Sequence, residues 1–73
     1  MKLSFKGKSA VITGACGGMG IECVKNLNKV GVKVLMLDLK NPPRNFVKKY
    51  KKVEFQKIDV TNFDKLKKII NKF

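Results

Sequence analysis

The chain has 73 residues and a formal charge of +12, from seventeen basic side chains against five acidic ones, with no histidine. A chain this small makes one domain at most and buries only about 60% of the surface its unfolded form exposes, so its core is marginal. Cys16 and Cys23 are too few for a disulfide framework and lack metal-type Cys-x-x-Cys spacing, which excludes a disulfide-stapled or zinc-stapled miniprotein.

Both cysteines read as free thiols in a reducing compartment. No apolar run approaches the roughly 20 residues of a membrane helix, and the opening Met-Lys-Leu-Ser-Phe-Lys-Gly-Lys lacks the apolar core of a signal peptide. The expectation is a soluble cytoplasmic protein with no membrane partner and no metal. A charge this high raises nucleic acid as a partner. However, sixteen of the basic residues are Lys and only Arg44 is Arg, whereas base reading and bidentate phosphate clamps favour Arg. The Lys residues, including the run Lys48, Lys49, Lys51 and Lys52, are therefore read as a solvated surface.

Ser9 to Thr13 is a short β-branched run that stops at a glycine-rich stretch from Gly14 to Gly20, a strand followed by a tight loop. Ile21, Val24, Leu27 and Val30 then recur at helical spacing, and Gly31 stands where the helix should stop. Val32 to Leu37 is almost wholly apolar, as in a strand buried on both faces of a parallel sheet, and ends at Asp38. Asn41-Pro42-Pro43 forbids a helix, and Asn45 to Lys52 can supply about two helical turns with Phe46, Val47 and Tyr50 as an apolar face. Val53 to Val60 reads as an edge strand. Thr61-x-x-Asp64 has capping-box spacing, with Asp for the usual Glu or Gln, and opens a helix whose apolar side is Phe63, Leu66, Ile69, Ile70 and Phe73.

This order predicts an α/β fold, an incomplete Rossmann-type parallel sheet of βαβαβα form with strands in the spatial order 3-2-1. Residues 1–73 form a single partial dinucleotide-binding domain on this reading. In a complete sheet a fourth strand pairs with the free side of the first. That edge is expected to stay open and apolar, leaving the fold loose unless a partner subunit supplies the missing strand.

The loop Thr13-Gly14-Ala15-Cys16-Gly17-Gly18-Met19-Gly20 spaces its key glycines as Gly-x-x-x-Gly-x-Gly, and the absence of Gly-Lys-Ser/Thr excludes a Walker loop. Residues without side chains let the backbone approach a pyrophosphate, and the helix starting near Met19 aims free N–H groups and a partial positive charge at it. An ordinary strand-to-helix turn needs one or two glycines, not Gly14, Gly17, Gly18 and Gly20 together. Asp38 lies 18 residues beyond Gly20, about where a carboxylate grips the adenosine ribose, and its charge repels the extra phosphate of NADP. The expected cofactor is NAD. Asp59-Val60 ends the third strand and should meet the adenine.

Phe5 to Ala15, the Thr-Gly-x-x-x-Gly-x-Gly loop, Asp38 and Asp59-Val60-Thr61 together resemble the short-chain dehydrogenase/reductase family. Gly18 to Leu27 is most similar to its NAD-dependent alcohol and hydroxyprostaglandin dehydrogenase-like branch. The resemblance implies that Gly14, Cys16, Gly17, Gly18, Met19 and Gly20 surround the pyrophosphate. It also implies that Asp38 with Leu39 holds the ribose and Asp59 with Val60 contacts the adenine. Family members continue into an Asn-Ala-Gly strand, a catalytic Ser and Tyr-x-x-x-Lys, and none of these occurs here; Tyr50, the sole tyrosine, is followed four residues later by Glu54. The implied parent reaction is oxidation of an alcohol to a carbonyl with NAD, with no catalytic residue in this chain, which by itself is expected to be inactive. The alternatives are a non-catalytic nucleotide-binding module and a Lys-rich nucleic-acid-binding protein.

Overall fold

The computed structural model describes residues 2–6 and 8–73, with side chains described from Lys8 onward. Its elements in chain order are β1 (Lys2–Lys6), β2 (Ser9–Thr13), α1 (Gly18–Lys29), β3 (Lys33–Asp38), α2 (Phe46–Lys49), β4 (Val53–Lys57) and α3 (Phe63–Lys72). They build one sheet in the order β1-β2-β3-β4. β2 runs parallel to β3 with Ser9 beside Lys33, and β3 runs parallel to β4 with Val34 beside Val53. The parallel part is the expected Rossmann-type sheet, its three strands in the order 3-2-1.

Side chains of β3 alternate between two buried layers. Val34 and Met36 join Ile12, Ala15, Val24, Phe46 and Val53 on the face covered by α1 and α2. Leu35 and Leu37 join Ile58 on the other face, against Leu66, Ile69 and Phe73 from α3. Covering on both faces is what the unbroken apolar run of β3 demands, since a parallel strand has no solvated side on which to place polar residues.

Three expectations need correction. The free side of β2, expected to remain open or to take a strand from a partner subunit, is filled by β1 of the same chain. β1 lies antiparallel there, with Lys6 opposite Ser9 and Lys2 opposite Thr13. Lys-Leu-Ser-Phe-Lys carries only a weak strand signal, and it pairs because the neighbouring backbone offers an unfilled ladder. The last strand is shorter than Val53 to Val60. It stops at Lys57, and Ile58 then turns inward to become buried. Finally, α3 is capped by Asn62, whose Oδ1 accepts from the Lys65 N–H at 3.3 Å, and not by Thr61. Thr61 is already committed to Asp59, which accepts from both its N–H and its hydroxyl.

Helical periodicity also overstated two apolar stripes. Val30 is 76% exposed because it is the C-cap of α1 and no longer follows the helical track, and Phe63 and Ile70 are exposed on α3. The second helix contracts to the four residues of α2. α1 ends as its glycine predicts: Gly31, at φ 81°, donates to the Asn28 carbonyl at 3.1 Å, and Val32 donates to that of Leu27 at 3.0 Å. This is the Schellman arrangement, and Val32 and Leu27 both pack against the core cluster.

Lys52 enters β4 from a left-handed conformation, φ 64°, that disfavours a residue with a Cβ. Gly31 and Lys52 therefore give opposite expectations. Lys52→Gly should stabilise the fold by about 0.5–1 kcal/mol, and Gly31→Ala should weaken it by about 1 kcal/mol, both read from urea midpoints.

Candidate functional site

The carboxyl ends of the parallel strands gather the glycine loop, Asp38 and the segment after β4. The loop leaves β2 through Gly14, at φ 63°, and is fastened across the sheet by the Ala15 N–H, which donates to the Leu37 carbonyl at 3.3 Å. α1 follows at once, with Gly17 as its N-cap and no side chain capping it; no acidic residue stands in its first turn. The amino end of the helix therefore has neither a capping side chain nor an acid of its own, and its first N–H groups stay available, the arrangement that favours an anion.

The loop glycines differ in what constrains them. A Cβ on Gly20 would lie 2.7 Å from the Ala15 carbonyl oxygen and 2.8 Å from two further backbone atoms, so the absence of a side chain lets α1 seat on the end of β2. A Cβ on Gly18 would meet nothing within 4 Å, and one on Gly17 only the Gly14 oxygen at 3.8 Å. Internal packing does not require glycine at 17 or 18. The space beside them is open, which is the cradle a phosphate group needs.

Asp38 sits at the last position of β3 and joins three segments. Its Oδ2 accepts from the Cys16 N–H of the loop at 2.9 Å, and its Oδ1 accepts from the Lys40 N–H at 3.1 Å. Its own carbonyl accepts from the Ile58 N–H at 3.1 Å, tying in the segment after β4. Partial burial works to raise the carboxyl pKa, but hydrogen bonds from the Lys40, Cys16 and Leu39 backbones and the Lys40 charge outweigh it and hold the group below its ordinary value. A carboxylate offers about four lone-pair positions, so acceptor capacity remains for a hydroxyl-bearing ligand. The same carboxylate acts on Cys16. Burial raises the Cys16 thiol, and the Asp38 charge raises it further, which suppresses the reactive thiolate.

Asp59 is fully exposed, and its Oδ1 accepts from the Thr61 hydroxyl at 2.7 Å and the Thr61 N–H at 2.9 Å; these two bonds lower its pKa. Met19 at 79% exposure, Leu39 at 60% and Phe63 at 76% are large apolar side chains left uncovered at this same end of the sheet, together with Val60. Exposed apolar residues beside fixed polar groups suit a ligand with both a flat apolar ring and charged oxygens. Phe63 is the member that the sequence did not single out. Its register with Leu66 placed it on the buried stripe, and only its position at the first turn of α3, beyond the sheet, reveals otherwise.

The structure thus brings the predicted residues to one end of the sheet: Gly14, Cys16, Gly17, Gly18, Met19 and Gly20 in the loop, Asp38 and Leu39 after β3, and Asp59 and Val60 after β4. Tyr50 lies elsewhere, its ring against Phe46 at a centroid distance of 4.7 Å. Among the described residues no three His, Cys, Asp or Glu side chains gather as a metal site, and no helix is long and apolar enough to cross a membrane.

Residues 8–73 match the family model for short chain dehydrogenases. The chain belongs to the short-chain dehydrogenase family. A solved structure to which it is similar is the short chain dehydrogenase of Leptospira borgpetersenii serovar Hardjo-bovis with bound NAD+. The two share 31% identity at a TM-score of 0.72, over 85% of this chain and 24% of that one. This short-chain dehydrogenase chain therefore spans about a quarter of the length of that relative.

Two expectations follow from the site's packing. Gly20→Ala should destabilise the fold by about 1–3 kcal/mol through the clash with Ala15, whereas Gly18→Ala should stay within about 0.5 kcal/mol of the parent; thermal unfolding of the two side by side tests this. The lowered pKa of Asp38 means that its stabilisation is fully present above the ordinary carboxylate range and is lost as pH falls through the folded-state pKa. An acid titration followed by circular dichroism should lose that increment at low pH in the parent, while Asp38→Asn lacks it at neutral pH.

Proposed function

We propose that this chain is a dinucleotide-binding portion of a dehydrogenase, spanning residues 1–73, and that its ligand is NAD. The observation that carries the reading is the Asp38 carboxylate, held ionised at the end of β3 and hydrogen-bonded to the glycine loop beside the uncapped end of α1. Gly14, Cys16, Gly17, Gly18, Met19 and Gly20 would surround the pyrophosphate, with the open space at Gly17 and Gly18 admitting its oxygens. Asp38 with Leu39 would take the adenosine ribose hydroxyls, and Asp59 with Val60 would border the adenine. The bound NAD+ of the similar Leptospira enzyme supports the same choice of ligand.

When bound, NAD supplies an acceptor for a hydride, and the parent reaction we assign is oxidation of an alcohol to a carbonyl. The residues of this chain bind and orient the ligand. Asp38 accepts ribose hydroxyls and repels a 2′-phosphate, and the loop backbone and the α1 terminus neutralise pyrophosphate charge. We assign none of the described residues the role of moving a proton at a reacting carbon, and this chain alone no turnover. We assign it a reducing, cytoplasmic setting, because two cysteines are too few for the disulfide framework of a small secreted fold.

Isothermal titration with NAD and NADP tests the assignment. NAD should bind more tightly than NADP, and Asp38→Ala should weaken NAD by about tenfold, the worth of one charge-assisted hydrogen bond, while narrowing the gap to NADP. Equal affinity for both nucleotides, unchanged in the variant, would falsify it.

A further inference from the structure

The sequence distributes its lysines along the chain, but the fold collects a set of them at the end of the sheet opposite the glycine loop. The Lys33 N–H donates to the Lys8 carbonyl at 2.8 Å, and the Val34 N–H donates to the Lys52 carbonyl at 2.8 Å, so Lys8, Lys33 and Lys52 stand in a row across the amino ends of β2, β3 and β4. The Asn28 side-chain amide donates to the Lys51 carbonyl, which brings Lys51 against the last turn of α1 and Lys29. Lys33 Nζ lies 4.7 Å from the centre of the Phe73 ring, which adds Lys72 at the end of α3. Lys8, Lys29, Lys51, Lys52 and Lys72 are all exposed.

Four of the five acidic residues lie elsewhere. Asp38, Asp59 and Asp64 are at the carboxyl end of the sheet or the first turn of α3, and Glu22 is spent on Lys25 at 3.5 Å. The nearest acid is Glu54, one residue inside β4, which shares a shallow groove with Lys72 and Phe73. The amino end of the sheet is therefore a cationic pole, facing away from the glycine loop.

We propose that this pole is a docking surface for an anionic lipid bilayer, held at the headgroup level without insertion of a helix. Three features favour lipid over nucleic acid. The pole contains lysine and no arginine, so it offers point charges to diffuse phosphates and no fork for a base edge. The rings nearby are already engaged, Phe73 beneath Lys33 Nζ at 4.7 Å and Tyr50 against Phe46. Val30, 76% exposed beside Lys29, presents an apolar side chain among the cations, which a headgroup region accommodates.

The test is flotation of the full chain with vesicles of phosphatidylcholine, alone or with about one fifth phosphatidylserine, at about 0.15 M salt. Two variants of equal net charge are compared, each checked for folding by circular dichroism. One replaces Lys8, Lys29, Lys51 and Lys72 by Gln, and the other replaces Lys40, Lys57, Lys67 and Lys68 by Gln. The chain should float only with the serine-containing vesicles, the second variant should bind within about twofold of the parent, and the first should bind about tenfold more weakly or worse, since surface attraction compounds with each lysine. The proposal is overturned by absent flotation, by equal loss in both variants, which would reduce the effect to net charge, or by a duplex DNA or RNA strand that displaces the chain from the vesicles at the same salt.

Discussion

The site depends on how Asp38 is held. A carboxylate at the end of a central parallel strand would ordinarily point into water, yet here it accepts backbone N–H groups from the loop after β2 and from its own following turn, while its carbonyl secures the segment after β4. Three strand ends that would otherwise be independent loops are thereby fixed relative to one another. The charge is also a constraint on chemistry, because burial and then the same group that orders the loop raise the thiol of Cys16 and disfavour its thiolate. A carboxylate tied in this way is preorganised: the N–H groups that orient it are in place before any ligand arrives.

Around that tie the packing is simple. β3 is buried on both sides and receives α1 and α2 on one face and α3 on the other, so each helix has a defined floor. The close seat of α1 follows from Gly20, whose missing Cβ lets the helix come down on Ala15. Raising α1 by the width of a methyl group would lift its amino end away from Asp38 and lose the convergence of the loop with β3.

Much of this was legible in the sequence because the signals are local and redundant. The apolar run of β3, the loop glycines, Gly31 and the spacing to Asp38 each report one backbone requirement, and they agree. The misreadings come where local signals compete or where tertiary context decides. Thr61 and Asn62 are both competent caps, and the choice falls to Asn62 because Asp59 has already engaged Thr61. Val30 and Phe63 keep helical spacing but sit at helix ends beyond the sheet, which periodicity cannot register. The polarity of the lysines is invisible in the sequence for a related reason: Lys8, Lys33 and Lys52 become neighbours only through parallel strand pairing.

The antiparallel pairing of β1 with β2 bears on the order of assembly. Hairpins close within about 1–10 μs, whereas a parallel pair must wait for its whole crossover to form. Since Lys6 faces Ser9 while β3 cannot reach β2 until α1 has been traversed, β2 gains its first partner from the residues just before it. During synthesis at about 5–20 residues per second, that leaves the strand destined for the interior with only one side open while the rest of the sheet is made. The hairpin thus shields a nascent apolar edge from pairing with other chains at the stage when such pairing does most harm.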